Sequence, residues 1–284
     1  MRAMGILYLV ATPIGNLEDI TARALRTLRE VSLVAAEDTR TARNLLSHFQ
    51  IVKPITSYFE HNKLSKLNTI LDALAHGDVA VISEAGLPGL SDPGYELVRA
   101  AIERGIRVVP IPGVSALTTA LVASGLPTDQ FVYVGFLPRQ KNARRKLLQS
   151  IVDEPRTIVA YEAPHRLRES LDDILAVLGD RAICVARELT KLHEEFFRGS
   201  VTQAQAHFEA NAPRGEFTLV IAGTTADEQP PVAEEEQWDD ARVIATVNEL
   251  IASGVARTEA VKRIAHEANR DRRAVYQLTL GNDE

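Results

Sequence analysis

Apolar positions in the first hundred or so residues follow two alternating rhythms. Near-continuous hydrophobic runs occur at Ile6 to Ala11, Val31 to Ala36, Ile51 to Ser57, Asp78 to Ser83 and Val108 to Ile111. Their length and density suit strands buried on both faces. Between them, apolar residues return at three- and four-residue spacing. Ala24, Leu25 and Leu28 follow the helix-entry signal Asp19-Ile20-Thr21, and further stretches run from Thr41 to Phe49 and from Leu64 to Ala75. Tyr95, Leu97, Val98 and Ile102 follow a helix start at Asp92-Pro93. Strands separated by single helices imply parallel pairing with right-handed crossovers. A first α/β domain is therefore expected over residues 1–112.

From Val114 the rhythm resumes in altered form. A helix to Ser124 leads to a strand at Phe131 to Phe136, a basic helix after Lys141, a strand at Thr157 to Tyr161 and a helix from Pro164 to Leu178. Ala182 to Ala186, Glu194 to Arg198 and Phe217 to Ala222 read as further strands, with a helix at Thr202 to Ala210 before the last. The strands on either side of Glu188 to Phe196 have no helix between them, so this sheet should be mixed. A second α/β domain is expected over 113–223. Residues 224–237 carry two prolines, several acids and few large apolar groups, which reads as an acidic linker. Residues 238–284 read as a small helical module. Val243, Ile244, Val247, Leu250 and Ile251 share one face, Thr258 is a candidate cap for a second helix through Val261 and Ile264, and Val275, Tyr276 and Leu278 belong to a third.

Three of the early strand ends run into proline-glycine turns: T-P-I-G-N, S-E-A-G-L-P-G-L-S-D-P-G and P-G-V-S-A. Glycine admits a ligand close to the backbone, proline fixes loop shape, and open α/β sheets hold small molecules at such strand ends. No G-x-G occurs, so neither the dinucleotide fingerprint nor a phosphate loop is present.

The ordered set A-T-P-I-G-N-L-E-D-I-T, A-E-D-T-R, S-E-A-G-L-P-G-L-S-D-P-G, V-V-P-I-P-G-V-S-A, Y-E-A-P-H-R, R-E-L-T-K and G-E-F-T-L-V-I runs from about Leu7 to Gly223. It closely resembles the tetrapyrrole-methylase-like superfamily, and within it the group that methylates a cytidine 2′-hydroxyl of bacterial 16S ribosomal RNA. The resemblance implies two α/β domains, a mainly parallel sheet and then a mixed one, with S-adenosylmethionine in the cleft between them. It also implies a homodimer, a helix-turn-helix-like tail, and 16S rRNA or the small ribosomal subunit as substrate. Carried onto this sequence, the cofactor loops are Pro13, Ile14 and Gly15; Glu84, Gly86, Leu87, Pro88 and Leu90; and Ser115 with Ala116. Where many tetrapyrrole methylases have G-D-P, this chain has Gly86-Leu87-Pro88, so an acidic contact is lost that Glu84 or Asp92 could replace.

Methyl transfer from a sulfonium to a hydroxyl needs the reactants in line and a route for the proton; it needs no metal. Glu37, Asp38, Glu60 and His61 lie in the two segments A-E-D-T-R and F-E-H-N, and Arg40 could hold a phosphate or orient a carboxylate. The working catalytic set is Asp38, Arg40 and His61; a helix cap at Asp38 and a solvated His61 are the competing readings. Substrate contacts are expected at Asn62, at Arg139, Arg144 and Arg145 in a run of five basic residues with no acid, and at Glu162, His165, Arg166, Arg187 and Lys191. A salt-bridge network between domains or between the subunits of a dimer is the alternative for the last five, and a solvated loop and helix face for the basic run. The seven histidines are scattered and Cys184 is the one cysteine, so no metal site is expected.

Composition adds limits. With 284 residues, 45% of them hydrophobic, the chain can bury a sizeable core. No apolar run approaches a membrane span, and the cytoplasm is the default location. A net charge of −6 argues against general cationic coating, so nucleic acid would be met by local patches such as Arg139 to Lys146 or the basic residues between Arg257 and Arg273. Two other functions stay open: methylation of a tetrapyrrole or another small molecule, and a non-enzymatic, cofactor-sensing regulator that binds nucleic acid.

Overall fold

The computed structural model describes residues 4–59, 63–224, 238–268 and 270–280. The chain divides into two compact units, Met1–Thr225 and Ala226–Glu284. His61, Asn62, Glu60 and nearly all of the acidic linker lie outside the described residues.

The first unit opens with five parallel strands: β1 (Leu7–Val10), β2 (Leu33–Ala36), β3 (Ile55–Ser57), β4 (Val79–Ile82) and β5 (Val108–Ile111), in the order β3-β2-β4-β1-β5. Their alternation feeds two cores. Val34, Ala36, Ala80 and Ile82 pack under α1 (Ala22–Glu30) and α2 (Thr39–His48). Ala35, Val79 and Val81 pack under α3 (Lys63–Ala73) and α4 (Tyr95–Glu103). Both faces are thus covered, as continuous apolar strands require. The expected entry signal of α1 is realised by Thr21, whose hydroxyl accepts from Ala24 N–H at 3.0 Å. Most boundaries differ by a residue or two, and two differ by more. The third strand begins at Ile55 instead of Ile51, because Ile51 N–H closes the end of α2 on Leu46 O at 2.8 Å and Pro54 has no N–H for a ladder. The fourth helix begins at Tyr95, so Asp92 and Pro93 stay in the loop.

The second sheet has the order β6-β7-β10-β8-β9, with β6 (Phe131–Phe136) parallel to β7 (Thr157–Glu162). The other pairs, among β7, β8 (Ala182–Arg187), β9 (Glu195–Ser200) and β10 (Phe217–Ile221), are antiparallel, so the sheet is mixed as expected. One face carries α6 (Lys141–Gln149), α7 (Leu167–Leu178) and α8 (Val201–Ala210). The other packs α5 (Ala116–Ser124) over Val159, Cys184 and Val220, and Ile14 and Leu189 complete this core. Ile14 comes from the loop after β1, so one apolar cluster ties the two sheets together.

The second unit is a three-helix module: α9 (Asp240–Ala252), α10 (Arg257–Glu267) and α11 (Arg272–Leu280), around Val243, Val247, Val261, Ile264 and Val275. Asp239 caps α9 by accepting from Arg242 N–H at 2.8 Å. The cap position of α10 is Ala256, with Thr258 one residue inside the helix. Among the described residues no helix is long and apolar enough to cross a membrane.

Candidate active site

Backbone contacts draw the loops after β1, β4 and β5 together. Thr12 and Gly86 form a two-bond bridge, 2.8 and 3.0 Å, that joins the first two loops. Gly86 has φ +77°, a conformation that favours glycine. The loop after β5 passes so near β1 that a Cβ on Gly113 would lie 2.8 Å from that of Ala11. Gly15 closes the other side: a Cβ there would meet Lys191 Cγ at 2.4 Å, Thr190 Oγ1 at 3.0 Å and Leu189 O at 3.1 Å.

A cavity of about 390 Å3 lies between these loops and the second sheet. The loops contribute Ile14, Glu84, Ala85, Gly86, Leu87, Leu90, Ser91, Asp92, Ser115 and Ala116, and Glu37 comes from the end of β2. The second sheet contributes Phe136, Tyr161, Glu162, Phe217 and Thr218. A neighbouring cavity of about 450 Å3 is lined by Pro13, Gly15, Thr41, Asn44, His48 and Lys191 among others. Ile14, Glu84, Ala85 and Glu216 border both.

The first cavity is acidic on the loop side and aromatic on the sheet side. Asp92 is the group most perturbed by this setting. Burial, then the nearby Glu37 carboxylate and further off Glu84, push its carboxyl up to about 7, against a smaller opposing hydrogen bond from Ser83. Opposite, Leu117 N–H donates to the Tyr161 hydroxyl at 3.1 Å, and the Tyr133 hydroxyl pairs with Ser91 Oγ at 2.5 Å. Burial raises both phenols above their ordinary range, so they stay neutral and act as hydrogen-bonding groups.

The cavity has features that fit S-adenosylmethionine. Small side chains at Gly86, Ser115 and Ala116 leave room for a folded nucleoside, and the carboxylates of Glu37 and Glu84 present negative charge to a sulfonium and an ammonium group. Among the described residues no His, Cys, Asp and Glu cluster could hold a metal ion.

Of the residues proposed from sequence for the cofactor, Ile14, Glu84, Gly86, Leu87, Leu90, Ser115 and Ala116 meet in the first cavity, Pro13 and Gly15 line the second, and Pro88 is buried beneath its loop. Of the proposed catalytic set, Asp38 and Arg40 are described and pair with each other, and His61 lies outside the described residues. Asp38 is the N-cap of α2: it accepts from Arg40 N–H at 2.6 Å and pairs with the guanidinium at 3.0 Å. That pairing holds the Asp38 carboxyl below its usual range, the wrong direction for a proton acceptor. Neither Asp38 nor Arg40 lines either cavity. Among the proposed substrate residues, Arg139 and His165 are exposed, whereas Arg144 is 1% exposed and binds Asp173 Oδ2 at 2.7 Å. Arg145 holds the other oxygen of Asp173 at 2.6 Å. Glu162 is buried between Arg166, at 2.7 Å, and the Ser170 hydroxyl. Arg187 pairs with Glu195 at 2.8 Å, and Lys191 with Glu188 and Glu216 at 2.9 Å each. The ion-pair reading therefore describes Glu162 and Arg166, and Arg144 is likewise paired and buried instead of lying on a solvated face, so these side chains have little surface to offer RNA.

Sequence reasoning did not single out Tyr133, Phe136, Tyr161, Phe217 or Thr218. Each is on a strand of the second sheet, and the available signal was aromatic residues at the ends of apolar runs.

The chain matches the family model described as Tetrapyrrole (Corrin/Porphyrin) Methylases over residues 6–205. It is 51% identical to "Ribosomal RNA small subunit methyltransferase I" of Synechocystis sp., a match covering 98% of both chains. A protein of the same name from Thermotoga maritima is 53% identical over 221 residues, which is 78% of this chain and 99% of that one. In fold, the structure is similar to a crystal structure of diphthine synthase at a TM-score of 0.59, with 15% identity and coverage of 78% and 91% of the two chains.

Proposed function

Because this chain belongs to the ribosomal RNA small subunit methyltransferase I family of tetrapyrrole-methylase-like enzymes, we propose that it carries the methyl group of S-adenosylmethionine to a cytidine 2′-hydroxyl of 16S ribosomal RNA. The observation that carries this reading is the cavity that gathers Ile14, Gly86, Leu87, Ser115 and Ala116 from three loops against Tyr161 and Phe217 of the second sheet. The small ribosomal subunit is the expected form of the acceptor, the cytoplasm the expected location, and a homodimer the expected assembly.

When bound, S-adenosylmethionine supplies an electrophilic methyl group on a sulfonium. The chain's own work is then positioning and proton management. Gly86, Leu87 and Ser115-Ala116 would hold the cofactor, and Glu37 with Glu84 would favour a cation in the cavity. The acceptor hydroxyl must lose its proton as its oxygen bonds to carbon. Asp92 takes that proton: it borders the cavity, and a carboxyl titrating near 7 is a far better acceptor than the Arg40-bound Asp38. Lys191 and His48 of the adjoining cavity offer cationic or hydrogen-bonding contacts for the RNA backbone.

The test is transfer of a labelled methyl group to small subunits that lack native methylation, with naked 16S rRNA alongside and nuclease mapping of the product. Label in 2′-O-methylcytidine is the expected result. Tight cofactor binding with no label in any RNA would sink the reading and leave a small-molecule acceptor.

A further inference from the structure

We infer that Phe136 is a stacking platform for the unstacked nucleobase of the RNA substrate, a role that rests on the reading above and names the part of the substrate this wall of the cavity receives. The path of β6 decides which side of the sheet Phe136 takes. Along a strand, side chains alternate between faces. Tyr133 packs on the α5 side of the sheet and Val134 on the α6–α7 side, so regular alternation would send Phe136 with Val134 into the core. It does not go there. The pairing of β6 with β7 shifts register between Tyr133 and Phe136, and Gly135 has φ +72°. Such a bulge turns a side chain out of its alternation and is a recurrent device beside active sites. Its effect is to bring Phe136 to the Tyr161 side, ring centroids 5.3 Å apart at 62°, in the wall of the cavity.

A phenylalanine placed there is 53% exposed. Tyr161 of this wall and Tyr133 beside it are fixed by hydrogen bonds to Leu117 and Ser91, and Tyr161 meets the Tyr133 and Phe136 rings edge-on, while Phe217, the remaining aromatic of the lining, is buried. Phe136 has no polar group to hold it, and its exposed surface is apolar and flat. Bases freed from a helix are held by stacking on such rings, because every base has a π-face. The neighbouring charge favours a nucleotide of the RNA over the cofactor's own adenine. The chain leaves Phe136 directly into Arg139 and Lys141 at the start of α6, both exposed, and cations beside the platform suit flanking phosphates.

The measurement is steady-state methylation of small subunits together with calorimetric cofactor binding for wild type, Phe136→Ala and Phe136→Trp. Expected are a KM for subunits raised about tenfold in Phe136→Ala, restored in Phe136→Trp, and the same cofactor Kd in all three. An unchanged KM in Phe136→Ala, or a cofactor Kd weakened as much as KM, would overturn the platform; the second outcome would place the cofactor's adenine on the ring. Because Phe136→Trp keeps the ring, a variant that melts early can be told from one that has lost stacking. Wild-type protein that methylates no RNA sinks the parent reading and the platform with it, whereas active wild type with indifferent variants sinks the platform alone.

Discussion

Asp92 carries opposed demands. Burial and the charges of Glu37 and Glu84 favour its protonated form, while the proposed chemistry needs the ionised form. With a carboxyl near 7 in place of an ordinary value near 4, the reactive form grows as pH rises through about 7. Methyl transfer under single-turnover conditions should therefore rise across that window and level off above it. Asp92→Asn should flatten this limb and slow transfer by about a hundredfold or more, with little change in RNA affinity. A pH limb that survives in Asp92→Asn would move the proton to another group. The linkage to stability has the same origin. The folded state holds this proton more tightly than the unfolded chain, so the contribution of Asp92 is fully present below the unfolded value and is lost as pH rises through about 7. Asp173 behaves oppositely. Burial alone would raise its carboxyl, but hydrogen bonds from Arg145 and Arg144 outweigh that and hold it low. Its contribution is present above the ordinary carboxylate range and fades as pH falls through the depressed value. Asp173→Ala leaves the buried Arg144 guanidinium with only the longer contact to Glu169, at 3.5 Å, and two backbone carbonyls, and should cost about 3 kcal/mol in denaturant unfolding.

The loop between β8 and β9, which lends Lys191 to the second cavity, is a strained connection. Glu188 and Thr190 have φ of 50° and 66°, and such residues persist only where their surroundings hold them, at about 1–3 kcal/mol each. Here the hold is visible. Glu188 Oε1 accepts from Lys191 Nζ and Glu216 N–H, Thr190 N–H donates to Glu194, and Thr190 Oγ1 accepts from Asn16 N–H at 3.1 Å. The last bond reaches the loop after β1, so Gly15 is a packing position as well as a cavity position. Gly15→Ala should press on Lys191, Thr190 and Leu189, cost about 1–3 kcal/mol and weaken cofactor binding in a melting-shift titration. A melting temperature and ligand response equal to wild type would show that the loops part without cost. Gly86 is different: a Cβ there meets nothing nearer than Ile14 Cγ2 at 3.6 Å, so a substitution is opposed by φ +77° more than by lost space. Such contrasts mark what could be read from sequence. Alternating periods gave both sheets and all the helix layers, because buried strands and amphipathic helices leave those patterns whatever their partners. The proline-glycine turns located the cavity through Ile14, Gly86 and Ser115. Of the two readings weighed for Asp38 the structure shows the helix cap, and Arg144, expected as a substrate contact, is taken by a buried pairing with Asp173, a partner distant in sequence that depends on three-dimensional neighbours. Phe136 went unseen because a single bulge, which periodicity does not encode, decides which face it takes.

The molecule's net charge is −6, yet its proposed substrate is a polyanion. Affinity must then come from limited cationic regions, and two are separable in the chain: the start of α6 and the helical second unit, where Lys262, Arg272 and Arg273 are exposed. The units have cores of their own, so the first should fold without the second. Every residue of the proposed cofactor cavity belongs to the first unit. A chain ending at Thr225 is accordingly expected to bind S-adenosylmethionine with unchanged Kd while its KM for small subunits rises about tenfold or more. Salt dependence separates the electrostatic contribution from any other. If two or three phosphates are contacted by the second unit, the slope of log affinity against log salt should flatten by about two units in the shortened chain. An unchanged slope with an unchanged KM would confine RNA recognition to the first unit, and would then place its cationic contacts at Arg139 and Lys141, at the start of α6, and at Lys191 in the second cavity.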